Sequence, residues 1–156
     1  MNAPNPLLLT QEILRLNTIN PPGNEEDCAR LLGGVLEQAG FRTRYHSFGP
    51  GRVNLLAEIG GEGERLPLCF TGHIDVVPLG AAPWKKDPFA GELDGGRVYG
   101  RGSSDMKSGV AAFVAAAVRL APHLSRTPGL TLVITAGVPF KTPGTTNMLR
   151  IARVKP

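Results

Sequence analysis

The 156 residues suffice for one ordinary domain with a real core, and the composition is that of a soluble globular protein with abundant glycine (20) and proline (14). The formal charge of +4 is unevenly laid: residues 1–105 carry 10 basic and 13 acidic side chains, residues 106–156 carry 7 basic and none acidic, and 4 of those 7 lie in the last 16 residues. No run approaches the roughly 18 apolar residues of a membrane span, no basic segment leads into an apolar stretch as a signal peptide does, and the basic tail is too sparse and too poor in aromatic residues beyond Phe140 to read nucleic acid. A cytoplasmic chain with neither a membrane nor a nucleic-acid partner is expected.

Asn5-Pro6 reads as an N-cap and first helical residue, and Leu9, Ile13 and Leu16 recur at helical spacing until Asn20-Pro21-Pro22-Gly23. A second helix is expected after a cap at Asn24, with Glu25, Glu26 and Asp27 facing the positive end of its dipole. Its buried stripe is Cys28, Leu32, Val35, Leu36 and Ala39, and Gly40 ends it. Strands are expected at 41–47, 52–59 and 66–74. The first alternates Phe41, Thr43 and Tyr45 with Arg42, Arg44 and His46, as a half-exposed strand does; the other two are apolar enough to be covered on both faces.

Residues 78–98 form a long connection with a turn at Asp94-Gly95-Gly96. A third helix, about 106–121, is apolar nearly all round and so belongs against a sheet. Residues 130–136 make another strand. Helices alternating with apolar strands give an α/β fold, a three-layer sandwich with a mixed, partly parallel sheet. Cys28 and Cys69, without CxxC spacing, are expected to be buried free thiols in a reducing compartment.

His73 and Asp75 stand at the end of an apolar strand, where i and i+2 share a face. A histidine there is either a hydrogen-bonded core residue or a metal ligand. Its position at a strand C-terminus, where α/β folds place their sites, and the acid beside it favour the ligand. Asp75 either accepts the ring's other N–H or shapes the pocket. Asp105, thirty residues on, either caps the third helix with Ser104 or bridges two cations. Gly100-x-Gly102 matches neither phosphate-binding glycine pattern.

Gly72-His73-Ile74-Asp75-Val76-Val77-Pro78, Trp84, Asp87-Pro88-Phe89, Asp94-Gly95 and Tyr99-Gly100-Arg101-Gly102-Ser103-Ser104-Asp105-Met106-Lys107 together resemble the signature of a zinc hydrolase family. Its members include acetylornithine deacetylase, succinyl-diaminopimelate desuccinylase, aminoacylase and the glutamate carboxypeptidases. Asn20-Pro21-Pro22-Gly23-Asn24-Glu25 resembles the family's opening helix and loop. The resemblance implies two zinc ions, with cobalt as a substitute, bridged by one aspartate and one water. By it His73 is a ligand of one metal, Asp105 the bridge, and Asp75 a catalytic residue that holds the histidine ring. It also implies a cis peptide at Asp105–Met106, and as substrate an N-acyl amino acid or small peptide whose amide is cleaved. In this chemistry two cations about 3.5–4 Å apart polarise the carbonyl and acidify the shared water, and a glutamate moves the proton.

The family follows its next strand with two glutamates, a base and a ligand; here Val138 and Pro139 stand about where they belong. The later acidic ligand, the distal histidine and the inserted domain through which members form homodimers have no counterpart. Residues 1–137 are therefore expected to be the first part of a metallohydrolase catalytic domain, and 138–156 an irregular basic tail, out of frame with the rest. The expected function is metal-dependent hydrolysis of amides by ancestry, truncated and inactive as this chain. The alternative is a non-catalytic fragment or pseudogene product.

Overall fold

The computed structural model describes residues 3–60, 68–124 and 130–135. In chain order the elements are α1 (Pro6–Leu14), α2 (Glu26–Gln38), β1 (Arg42–Gly49), β2 (Arg52–Ile59), β3 (Leu68–His73), β4 (Glu92–Asp94), β5 (Arg97–Tyr99), α3 (Lys107–Leu124) and β6 (Leu130–Thr135). Four strands form one sheet in the order β1-β2-β6-β3. β1, β2 and β6 run antiparallel to their neighbours in that order, and β6 runs parallel to β3. The α/β fold with a mixed, partly parallel sheet is as the residue pattern predicts.

Alternation on β2 and β6 sends Val53, Leu55 and Ala57, with Leu130, Leu132 and Ile134, into one core. Leu9 and Ile13 of α1, Leu32 and Leu36 of α2, and Val110, Ala111, Val114 and Ala117 of α3 complete it. The opposite face, with Leu56, Thr131 and Val133, is half-buried, and among the described residues no helix covers it. The described residues thus hold two of the three expected layers. Among them, no helix is long and apolar enough to cross a membrane.

Asn5 caps α1 as predicted, its Oδ1 accepting from Leu7 N at 2.8 Å and Leu8 N at 3.4 Å, with Pro6 opening the helix. The helix ends at Leu14, six residues short of Asn20. Tertiary bonds take the remainder: Asn20 N donates to Val76 O at 2.8 Å, and Val76 N donates to Thr18 O at 3.0 Å. α2 starts at Glu26 and is not capped by Asn24. Glu26 N donates instead to Gly51 O at 3.0 Å, and the fully buried Glu25 is held by Arg52, Nε to Oε2 at 3.0 Å and Nη2 to Oε1 at 3.1 Å.

β3 is not covered on both faces. Leu68 is 61 % exposed, and Phe70 is exposed although it stacks on Phe113 of α3 with centroids 5.9 Å apart. The connection after Pro78 contains a small ribbon, β4 paired with β5, around the predicted Gly95-Gly96 turn. α3 continues past 121 through Pro122. Gly137, Val138, Pro139 and the basic tail lie outside the described residues.

Both cysteines are free, as expected, but only Cys28 is buried; Cys69 is exposed on β3. Burial pushes the Cys28 thiol up to about 11. Iodoacetamide at pH 8 is expected to label Cys69 alone in the folded chain and both thiols in denaturant, and two adducts by mass spectrometry under native conditions would refute this core. Because the folded thiol ionises later than the unfolded one, its contribution to stability is complete below about 9 and lost as pH rises through about 11.

Candidate active site

His73 is the last residue of β3, and the backbone beyond it is tied down on both sides. Ile74 N donates to Thr135 O at 3.0 Å, and Thr18 Oγ1 donates to Ile74 O at 2.6 Å. Ile74 and Val76 are buried, which leaves His73 and Asp75 turned to a common cleft. That placement is the one their i, i+2 spacing predicts.

Asp105 reaches the same place from the other side. The loop before α3 turns at Gly102, whose φ of +90° and close approach to Val76 exclude a side chain: a Cβ would stand 2.6 Å from Val76 Cγ1. Lys107 N donates to Gly102 O at 2.9 Å, closing the turn. The Asp105–Met106 peptide is cis, as the resemblance implies.

The three side chains form a line. Asp75 Oδ1 lies 3.2 Å from His73 Nδ1, and His73 Nε2 lies 3.1 Å from Asp105 Oδ1. Asn20 Nδ2 donates to Asp75 Oδ2 at 3.1 Å. Exposure rises along the line, from 12 % at Asp75 to 32 % at His73 and 86 % at Asp105. The hydrogen bond that the ring donates to Asp75, outweighing partial desolvation, raises His73 to about 9. The metal-free ring therefore holds both protons at neutral pH, donating one to Asp75 and one to Asp105.

An imidazole nitrogen and a carboxylate oxygen converging at this distance are a donor pair suited to zinc, with the ring's second nitrogen oriented by a carboxylate. Among the described residues no group of three or more His, Cys, Asp and Glu side chains is arranged to hold a metal ion. The donors present fit one edge of a metal site.

The cleft has a volume of about 630 Å³ and is walled by Val77, Trp84, Tyr99 and Arg101 beside the three polar residues. Sequence reasoning assigned no role to Asn20, Arg101 or Lys107, although all three stand in the quoted motifs. Lys107 is fully buried, its Nζ donating to Ile13 O at 2.7 Å and Leu16 O at 2.8 Å. A lysine opening an apolar helix was the available signal, since an ammonium in that position must find partners.

Residues 69–138 match the model of peptidase family M20/M25/M40. The chain is similar to succinyl-diaminopimelate desuccinylases: 47 % identical over 117 residues to that of Gluconobacter oxydans (strain 621H), covering 73 % of this chain and 29 % of the relative. With that of Rhodospirillum centenum (strain ATCC 51521 / SW) it shares 44 % over 119 residues, 73 % of this chain and 30 % of the relative. It therefore spans about 30 % of the length of these curated relatives. Among solved structures, the M20 family metallo-carboxypeptidase Sso-CP2 from Sulfolobus solfataricus superposes with a TM-score of 0.71 at 25 % identity, over 85 % of this chain and 31 % of that one. Human carnosine dipeptidase 1 gives 0.63 at 25 % identity, over 83 % of this chain and 31 % of that one. The motifs around the cleft, the sheet that carries them and these likenesses make the chain a member of peptidase family M20/M25/M40.

Proposed function

We propose that the chain carries part of the metal-binding site of a hydrolase for amide bonds in N-acyl amino acids or small peptides, with zinc, or cobalt in its place, as the metal. The observation that carries this reading is the 3.1 Å approach of His73 Nε2 to Asp105 Oδ1 at the mouth of the sheet. His73 would be a ligand through Nε2, Asp105 a second and bridging ligand, and Asp75 the residue that keeps the proton on Nδ1. When bound, the metal supplies charge that polarises an amide carbonyl and acidifies water. Asn20 holds Asp75 from behind. The desuccinylase relatives make an acyl amino acid the favoured substrate class.

Residues 1–156 alone would not turn over substrate. The described residues offer two donors where a working hydrolytic centre needs more, and Val138 and Pro139 stand about where the family has its base and next ligand. In the same reading residues 1–137 are domain and 138–156 an out-of-frame tail. Calorimetric titration with Zn²⁺ is expected to show one weak site that His73→Ala and Asp105→Ala each abolish. Identical heats in all three proteins would overturn the site. With zinc or cobalt added, N-acetylornithine, succinyl-diaminopimelate and N-acetylmethionine are expected to be cleaved no faster than by His73→Ala; faster cleavage would overturn the inactivity while supporting the site.

A further inference from the structure

We infer that Arg101 is a carboxylate-binding residue in the wall of the cleft, so that the ligand it takes is an acyl amino compound bearing a free carboxylate close to the amide. The inference rests on the active-site reading above for the position of the amide, and on a separate set of observations for the anion.

Two cations stack on aromatic rings beside the cleft. Lys86 Nζ lies 5.0 Å from the centroid of Tyr99, and the Arg101 guanidinium lies 5.0 Å from that of Trp84. Their surroundings differ. Lys86 is neutralised by Glu92 and by Asp94, the latter at 3.0 Å. Arg101 has no acidic partner among the described residues: Nη2 donates to Pro78 O at 3.0 Å, and Nε is buried with no hydrogen-bond acceptor. A guanidinium has five N–H donors and never gives up its charge at working pH. One bond to a neutral carbonyl leaves most of that capacity unused.

The stack on Trp84 and the bond to Pro78 hold the group in one orientation, so a ligand meets a preorganised fork and not a mobile side chain. A carboxylate is the anion that matches such a fork. Val77, Val98 and Tyr99 give the wall an apolar stretch, with Ser103 and Ser104 also lining the cleft, and that stretch suits the short hydrocarbon between a carboxylate and an amide. The carboxylate has two possible sources within this chemistry, the amino acid part or a dicarboxylic acyl part.

Trp84 is the chain's one tryptophan, so occupation of Arg101 is read directly in its emission. The intact chain, in EDTA, is titrated with N-butylsuccinamate, which carries its carboxylate on the acyl side, and with N-acetylnorleucine, which carries it on the amine side. A saturable change with at least one is expected, weakened about tenfold or more in Arg101→Gln, since hydrogen bonds to a charged group are each worth about 1.5–3 kcal/mol. The uncharged carboxamide of the same compound is expected to give no saturable change. The ligand that saturates identifies the source. Absence of saturation with both, equal binding to Arg101→Gln, or equal binding of the carboxamide overturns the inference. Because no metal is present, these outcomes are independent of whether zinc binds at His73 and Asp105.

Discussion

Lys107→Met is expected to lower the stability of the chain by about 2–5 kcal/mol in urea titrations. The ammonium is buried where α3 begins and bonds the carbonyls of Ile13 and Leu16 at the end of α1. A methionine fills the volume but donates nothing, and each buried carbonyl left without a donor costs about 1–3 kcal/mol. An opposing effect is present: burial pulls the Lys107 pKa down, so the charge itself is held at a cost. The orphaned acceptors outweigh it because the helix end cannot turn them to water without dismantling the core around Ile13 and Leu14, both fully buried. A change below about 0.5 kcal/mol, the size of an ordinary surface substitution, would show that Lys107 is not the clamp between α1 and α3. Arginine is not expected to rescue, since its planar fork needs more room than the site has.

Asp75→Asn is expected to weaken zinc binding by about 10–100-fold, the usual loss when a carboxylate behind a histidine ligand is removed. It also has a signature without metal. His73 titrates near 9 in the folded chain against 6.5 unfolded, principally through its hydrogen bond to Asp75. The folded state therefore binds more protons between those values. The stabilisation is complete below about 6.5 and lost as pH rises through about 9. With chelator present, the wild-type melting temperature is expected to fall across that window, and the fall is expected to shrink in Asp75→Asn. An NMR titration of the His73 ring measures the same shift directly. A His73 midpoint unchanged by Asp75→Asn would remove Asp75 from the role given to it.

Both substitutions fall within motifs that stand out in the sequence, yet only one effect was legible there. The spacing His73-x-Asp75 fixes the side on which both groups emerge, because the period of an extended chain is two residues whatever surrounds it. The cap of α1 and the apolar stripes of α1, α2 and β2 are equally local, and the chain alone determined them. The meeting of Asp105 with His73, thirty-two residues apart, was legible through resemblance, not through any local rule.

What tertiary structure decided are the places where a group's partner lies far along the chain. α1 stops at Leu14, and beyond it Thr18 and Asn20 bond Val76, fifty-odd residues along the chain. α2 begins on Gly51's carbonyl, so the capping residue in front of it is unused. β3 is apolar as a buried strand is, and its exposure depends on which neighbours the sheet supplies. Lys107 and Arg101 look alike in sequence as basic residues of one short motif. One is buried against helix carbonyls and the other lies open to the cleft, because burial and charge pairing are properties of the assembled fold and no short window of residues encodes them.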